Sequence, residues 1–249
     1  MRRLALLCAL LALTLAAHQT NAAQEEGDVV SRSELVRELP ASADHPVPRI
    51  VMAAQEQEIS CRPEPKRVLA VHYRAKPTAK FSMNDDQVVI ALEKEGQYKI
   101  LKAFESEAAI VEGLLYSDND FDQDFITIGD LHFLYVRDNI SGSGGIVMHD
   151  VYTMSSDDQL SSIPFENVSK SKLLKASEEL RNGRYMFKNQ HFSFEAGVYK
   201  PQDPECCPSN GAYHALFKLE GDFKPVPQTK TFRPDFKFVV AKEWRDEGS

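Results

Sequence analysis

Apolar and polar residues alternate with period two over several short stretches, the imprint of strands that bury one face. The clearest lie in the C-terminal third. Phe192, Phe194, Ala196 and Val198 form one set, and Tyr213, Ala215, Phe217 and Leu219, interrupted only by Leu216, form the next. The segment between them, Pro201-Gln202-Asp203-Pro204-Glu205-Cys206-Cys207-Pro208-Ser209-Asn210-Gly211, makes the pair a hairpin with a long, stiffened loop. Phe236 to Val240 supplies a last strand, with Trp244 placed to close an edge.

Upstream, Val68 to Tyr73 is apolar and β-branched, and Gln87 to Leu92 and Tyr98 to Phe104 flank Glu95-Gly96 as a hairpin would. Phe125 to Ile128 and Leu131 to Val136 flank Gly129-Asp130 in the same way. Ile146 to Met154 adds a strand after Gly142-Ser143-Gly144-Gly145. Helical spacing is found twice. Ser31 and Glu34 have the separation of a capping box ahead of Leu35, Val36 and Leu39, with Pro40 as the stop. Leu173, Leu174, Ala176 and Leu180 predict a second helix over Ser171 to Arg181, capped by Ser171 and ended near Gly183. The fold class expected is therefore α+β, predominantly antiparallel β with one or two short helices. No internal repeat or low-complexity tract stands out.

The N-terminus changes the picture. Arg2 and Arg3 precede an apolar run from Leu4 to Ala17, followed by polar and small residues through Ala23, the order of a cleaved secretory signal peptide. The run falls short of the about 20 residues a membrane helix needs, and no later stretch approaches that length, so no transmembrane segment is expected. Cys8 leaves with the run. The organisation expected is a signal peptide over 1–23, a polar N-terminal segment and linker over 24–48, and a single β-rich domain over 49–249. The address is periplasmic or secreted. Loss of Arg2 and Arg3 leaves 27 basic against 37 acidic residues, a formal charge of −10, which argues against nucleic acid and anionic membranes as partners.

Export makes the cysteines informative. The mature chain retains Cys61, Cys206 and Cys207, an odd number, so at least one is free or shared with another chain. Cys61 is expected to staple the N-terminal part to the Cys206-Cys207 loop. The other reading of the loop, a thiol-based redox or metal sensor, lacks the spacing of Cys-x-x-Cys, and His214 as nearest histidine completes no spaced ligand pair. Asp118, Asp120, Asp122 and Asp124 alternate in a way that can surround a hard cation, yet neither the glycine nor the glutamate of an EF-hand stands at its position, and a solvated acidic turn is the reading taken. Gly142 to Gly145 lacks the Lys and Ser or Thr of a phosphate loop. The histidines are scattered singly, with no His-Glu-x-x-His pair or serine elbow. Asn139-Ile140-Ser141 and Asn167-Val168-Ser169 are glycosylation sequons.

On Asp203-Pro204-Glu205-Cys206-Cys207-Pro208-Ser209, the chain resembles uncharacterised bacterial exported proteins that share an Asp-x-x-Cys-Cys-Pro-Ser loop, over residues 110 to 222. The resemblance implies a bacterial source and an envelope or secreted address and brings no known activity. The aspartate-rich turn departs from that pattern in lacking glycines. The function expected is a non-enzymatic, cysteine-stabilised binding or structural module for another envelope protein or a cell-surface component, with no cofactor. The alternatives are an exported hydrolase assembled from distant residues such as His191, His214 and Asp203, and the thiol-based sensor.

Overall fold

The computed structural model describes residues 26–41, 47–76, 86–106, 121–138, 148–204 and 207–246. These residues form three antiparallel sheets, each built mainly from strands that follow one another in the chain. Sheet I contains β1 (Val29–Val30), β2 (Arg49–Ile59), β3 (Lys66–Ala75), β4 (Asp86–Lys94) and β5 (Gln97–Ser106) in the order β1-β5-β4-β3-β2. Sheet II is the meander β6 (Phe121–Ile128), β7 (Leu131–Asp138), β8 (Met148–Met154) and β9 (Leu160–Ser162). Sheet III is the meander β10 (Glu179–Lys188), β11 (His191–Tyr199), β12 (Ala212–Pro225) and β13 (Phe232–Asp246). The repetition of meanders is architectural and leaves no recurrent sequence pattern.

Tight turns make this topology possible. Glu95 and Gly96, between β4 and β5, have φ of 53° and 81°, the pair of positive angles that lets a two-residue turn follow the strand twist. Asn189 and Gln190 do the same between β10 and β11, at 52° and 64°. Both hairpins read from the sequence, around Glu95-Gly96 and Gly129-Asp130, are present.

Sheet II is the middle layer. On β7, Phe133 and Tyr135 face sheet III and join a core with Phe192, Phe194, Tyr213, Phe217 and Phe238. Leu134 and Val136 face the other way, against Val68, Ala70, Val88 and Ile90 of sheet I. A strand buried on both faces loses its alternation, which is why Phe133 to Val136 is continuously apolar. The outer face of sheet I buries Leu69, Val71, Tyr73, Val89 and Ile100 under Leu35.

Leu35 belongs to α1 (Arg32–Leu35), where Ser31 and Glu34 form the expected capping box. The stretch read as polar segment and linker thus contributes a strand and a helix within residues 26–41. Val29 and Val30 pair with Lys99 and Tyr98, and the Tyr73 hydroxyl donates to the Leu35 carbonyl.

The helix expected over Ser171 to Arg181 does not form. A single 3-10 turn, Val168–Lys170, precedes Ser171, whose Oγ accepts the Leu173 N–H at 3.0 Å and closes a turn instead of capping a helix. The chain turns again at Lys175 to Glu178 and enters β10 at Glu179. For Glu179 to Arg181, pairing with β11 outweighs helix propensity, which is worth only tenths of a kcal/mol per residue. Gly183 is no helix stop either. A Cβ there would stand 2.5 Å from Phe194 Cζ, so the glycine makes room for that ring. The described fold is consequently β-rich with almost no helix, short of the α+β class expected. No helix among the described residues is long and apolar enough to cross a membrane.

Beyond Phe217, where β11 ends its pairing, β12 and β13 continue as a two-stranded ribbon. The ribbon packs Phe236 between Phe133 and Phe223, bonds Phe232 N–H to Ser156 Oγ at 2.7 Å, and brings Asp222 to Arg62 at 3.1 Å. It therefore reaches from sheet III to the β2–β3 loop of sheet I.

Candidate functional site

The best-defined polar construction outside the core lies at the end of sheet III, where the loop between β11 and β12 meets the last strand. Glu178 has a side chain only 1% exposed and faces Arg245 of β13, Nη1 to Oε2 at 2.9 Å. Arg245 also donates through Nε and Nη2 to the Asn210 carbonyl at 3.1 and 2.8 Å, and Asn210 Nδ2 donates to Glu178 Oε1 at 2.6 Å. The Arg245 guanidinium, then the Lys175 N–H, hold the Glu178 carboxyl down to about 2. Asp203 works inside the loop. Its Oδ2 accepts from Lys200 N at 2.7 Å, Ser209 N at 3.1 Å and Ser209 Oγ at 2.8 Å, and the Lys200 N–H is the main cause of its lowered pKa. Pro208 lies over Gly197, where a Cβ would come within 3.1 Å of it. Both ends of the loop are thereby tied to the sheet.

Beside the loop, one row crosses all four strands of sheet III on its outer face: Arg184, Glu195, His214 and Trp244 are register partners in turn. His214 and Trp244 stack with centroids 5.1 Å apart and planes 8° from parallel, and Lys242 Nζ lies 5.4 Å from the Trp244 ring centre. Trp244 remains 38% exposed. The next row is Met186, Ser193, Leu216 and Lys242, with Met186 also exposed. Trp244 does lie on an edge strand, as its sequence position suggested.

The cysteine staple is not formed between Cys61 and Cys207. Cys61, at the end of β2, is buried, donates to its neighbour's carbonyl, Arg62 O, at 3.5 Å, and has a thiol pushed up by burial. Its neighbour Arg62 pairs with Asp222, whereas the exposed Cys207 sits beside Pro208 over Gly197, opposite Ala212 at the other end of β12. From Ala212 to Asp222 is roughly 30 Å of strand, against the about 7 Å that a disulfide spans between Cα atoms. Cys206 lies outside the described residues.

The remaining sequence candidates are dispersed. Asp118 and Asp120 lie outside the described residues, as do Gly142 to Gly145, Asn139 and His45. Asp122 and Asp124 belong to β6, paired with Arg137 and Tyr135. Among the described residues no three His, Cys, Asp or Glu side chains converge as a metal site would require. His72 is buried in β3, and His132 Nδ1 lies 3.0 Å from Thr127 Oγ1. His191 opens β11, four residues from the Glu195 that pairs with His214, and Asp203 is bound within its own loop, so the structure does not bring His191, His214 and Asp203 together. His214 Nε2 instead lies 3.0 Å from Asp246 Oδ2, without the alignment of a hydrogen bond.

Two clusters were not legible in the sequence. Glu178, Asn210 and Arg245 are separated by 32 to 67 positions, and no local spacing marks them. The second joins sheet I to sheet II. Asp158, in the β8–β9 turn, contacts Lys66 and Lys94, while Lys66 Nζ donates to Ser156 O at 3.0 Å. Burial raises the Asp158 carboxyl, and the two ammonium groups more than offset this and leave it lowered. The two Gly-containing turns were findable because positive φ selects residue types; long-range ion pairs have no such marker. No protein-family model, curated protein or solved structure matches the chain.

Proposed function

We propose that the chain is an exported, non-catalytic binding module that recognises another envelope protein or a cell-surface component through the end of sheet III. The observation that carries this reading is the Glu178–Arg245–Asn210 network. A nearly fully buried carboxylate and an arginine are committed to anchoring Asn210, where an exposed loop rejoins the sheet, and an anchored loop end lowers the ordering cost when a partner is met. The adjoining His214–Trp244 stack supplies an aromatic anchor of the kind that dominates interface energetics.

The test is crosslinking capture from envelope extract with the mature protein, beside Trp244→Ala. Recovery of a defined partner by the parent protein and its loss with the variant supports the reading. No partner, together with clear turnover in a hydrolase screen, overturns it. The second reading, an exported hydrolase, draws on the close approach of His214 and Asp246. It requires that turnover disappear in His214→Gln.

A further inference from the structure

Beside this surface, the segment that covers the free edge of sheet III leaves a cleft. Phe165 bridges Phe238 in parallel, Glu166 N–H donates to Phe238 O at 2.8 Å, and Glu166 Oε2 accepts from Val240 N at 2.8 Å. Beyond Val240 the covering segment and β13 part, and a cavity of about 680 Å³ opens between them. That volume falls in the range of small-molecule sites, about 300 to 1,000 Å³.

Lys170, Lys172 and Lys242 line the cavity. Among the described residues, none of the three has a carboxylate within ion-pair distance, although the chain carries an overall formal charge of −8. The two carboxylates that share the cavity are engaged with other donors. Glu166 accepts the Val240 N–H, and Glu243 Oε2 accepts the Tyr213 hydroxyl at 2.9 Å. Asn167 spends its Oδ1 on Ser169 N and Oγ and retains Nδ2 as a donor. Val168 and Val240 add apolar wall. The cleft thus sets three lysines and an amide N–H against two carboxylates that keep their charge, a net formal charge of +1. Such a wall attracts negative charge and focuses it against a low-dielectric face.

We propose that this cleft binds a small organic anion carrying two or more negative charges on carboxylate or phosphate groups. It is a separate site from the partner-binding surface, sharing only Lys242 with it. Calorimetric titration of the mature protein with citrate and, in a second arm, inorganic phosphate tests the proposal, with choline as cationic control. Saturable binding of citrate at one site per chain is expected. It weakens roughly tenfold or more in the triple variant Lys170→Gln, Lys172→Gln, Lys242→Gln, because charge-assisted hydrogen bonds are the stronger class. It also weakens as salt rises. Stronger binding of citrate than of phosphate assigns carboxylates, and the reverse assigns phosphate. Absence of saturable binding by either anion, binding untouched in a triple variant whose melting temperature is unchanged, or a preference for choline overturns the proposal. Partner capture by the double variant Lys170→Gln, Lys172→Gln, which leaves the partner-binding surface intact, keeps a failure here distinct from a failure of the binding-module reading.

Discussion

Sheets II and III are both antiparallel meanders but use their apolar residues differently. Sheet II buries both faces, Leu134 and Val136 against sheet I and Phe133 and Tyr135 against sheet III, so its described interior serves cohesion. Sheet III buries one face and leaves the other to Arg184, Glu195, His214 and Trp244. An aromatic residue therefore has two meanings in this molecule. Phe192, packed among Tyr135, Phe165, Phe187 and Phe238, holds layers together, whereas Trp244, stacked on His214 and open to solvent, is available for recognition.

Substitutions on the two faces sharpen that contrast. Phe192→Ala removes a side chain with no exposure from the interlayer core and is expected to cost about 3–5 kcal/mol, read from urea denaturation. A cost below about 1 kcal/mol would mean that the layers do not depend on this contact. Next in size is the loop anchor. Glu178→Gln leaves Arg245 without its charge partner in a poorly exposed site and is expected to cost roughly 2–3 kcal/mol.

The Glu178 anchor also has a pH signature. Its folded pKa of about 2 lies below the ordinary 4.5, so its contribution is fully present above about 4.5 and is lost as pH falls toward about 2. Thermal melts over that window should show a steeper decline for the parent than for Glu178→Gln, and parallel curves would remove Glu178 from the account.

Thiol labelling separates the two ends of β12. Cys207 should react at neutral pH in the folded protein and Cys61 only on unfolding, with no Cys61–Cys207 crosslinked peptide in a non-reducing map. Such a peptide would contradict the described arrangement. The smallest effect on stability is expected at the outer face, where Trp244→Ala should cost under about 1 kcal/mol while partner capture is lost. A large loss of stability there would turn the exposed row into a structural element.

How much of this was legible differs between elements for physical reasons. The hairpins at Glu95-Gly96 and Gly129-Asp130 announce themselves because a tight turn needs residues that accept positive φ. The capping box at Ser31 and Glu34 is similarly local. A helix is expected over Ser171 to Arg181 because Leu173, Leu174, Ala176 and Leu180 match helical spacing, while the partner that draws its last residues, Glu179 to Arg181, into β10 lies across another turn, Asn189-Gln190. In the candidate site, His214, Asp203 and Trp244 stand out by residue type or position, but the contacts between them and their partners do not. Asp203 closes its own loop, and His214 gains Trp244 only when β12 and β13 pair.

By itself the sequence determined the local conformational choices: alternation for half-buried strands and turn residues for hairpins. Tertiary structure alone decided which face of each sheet is covered, which cysteines are remote, and which charges meet. Those outcomes depend on contacts between residues far apart in the chain. The chain positions of Glu178 and Arg245, or Asp158 and Lys66, carry no trace of the distance to which folding brings them.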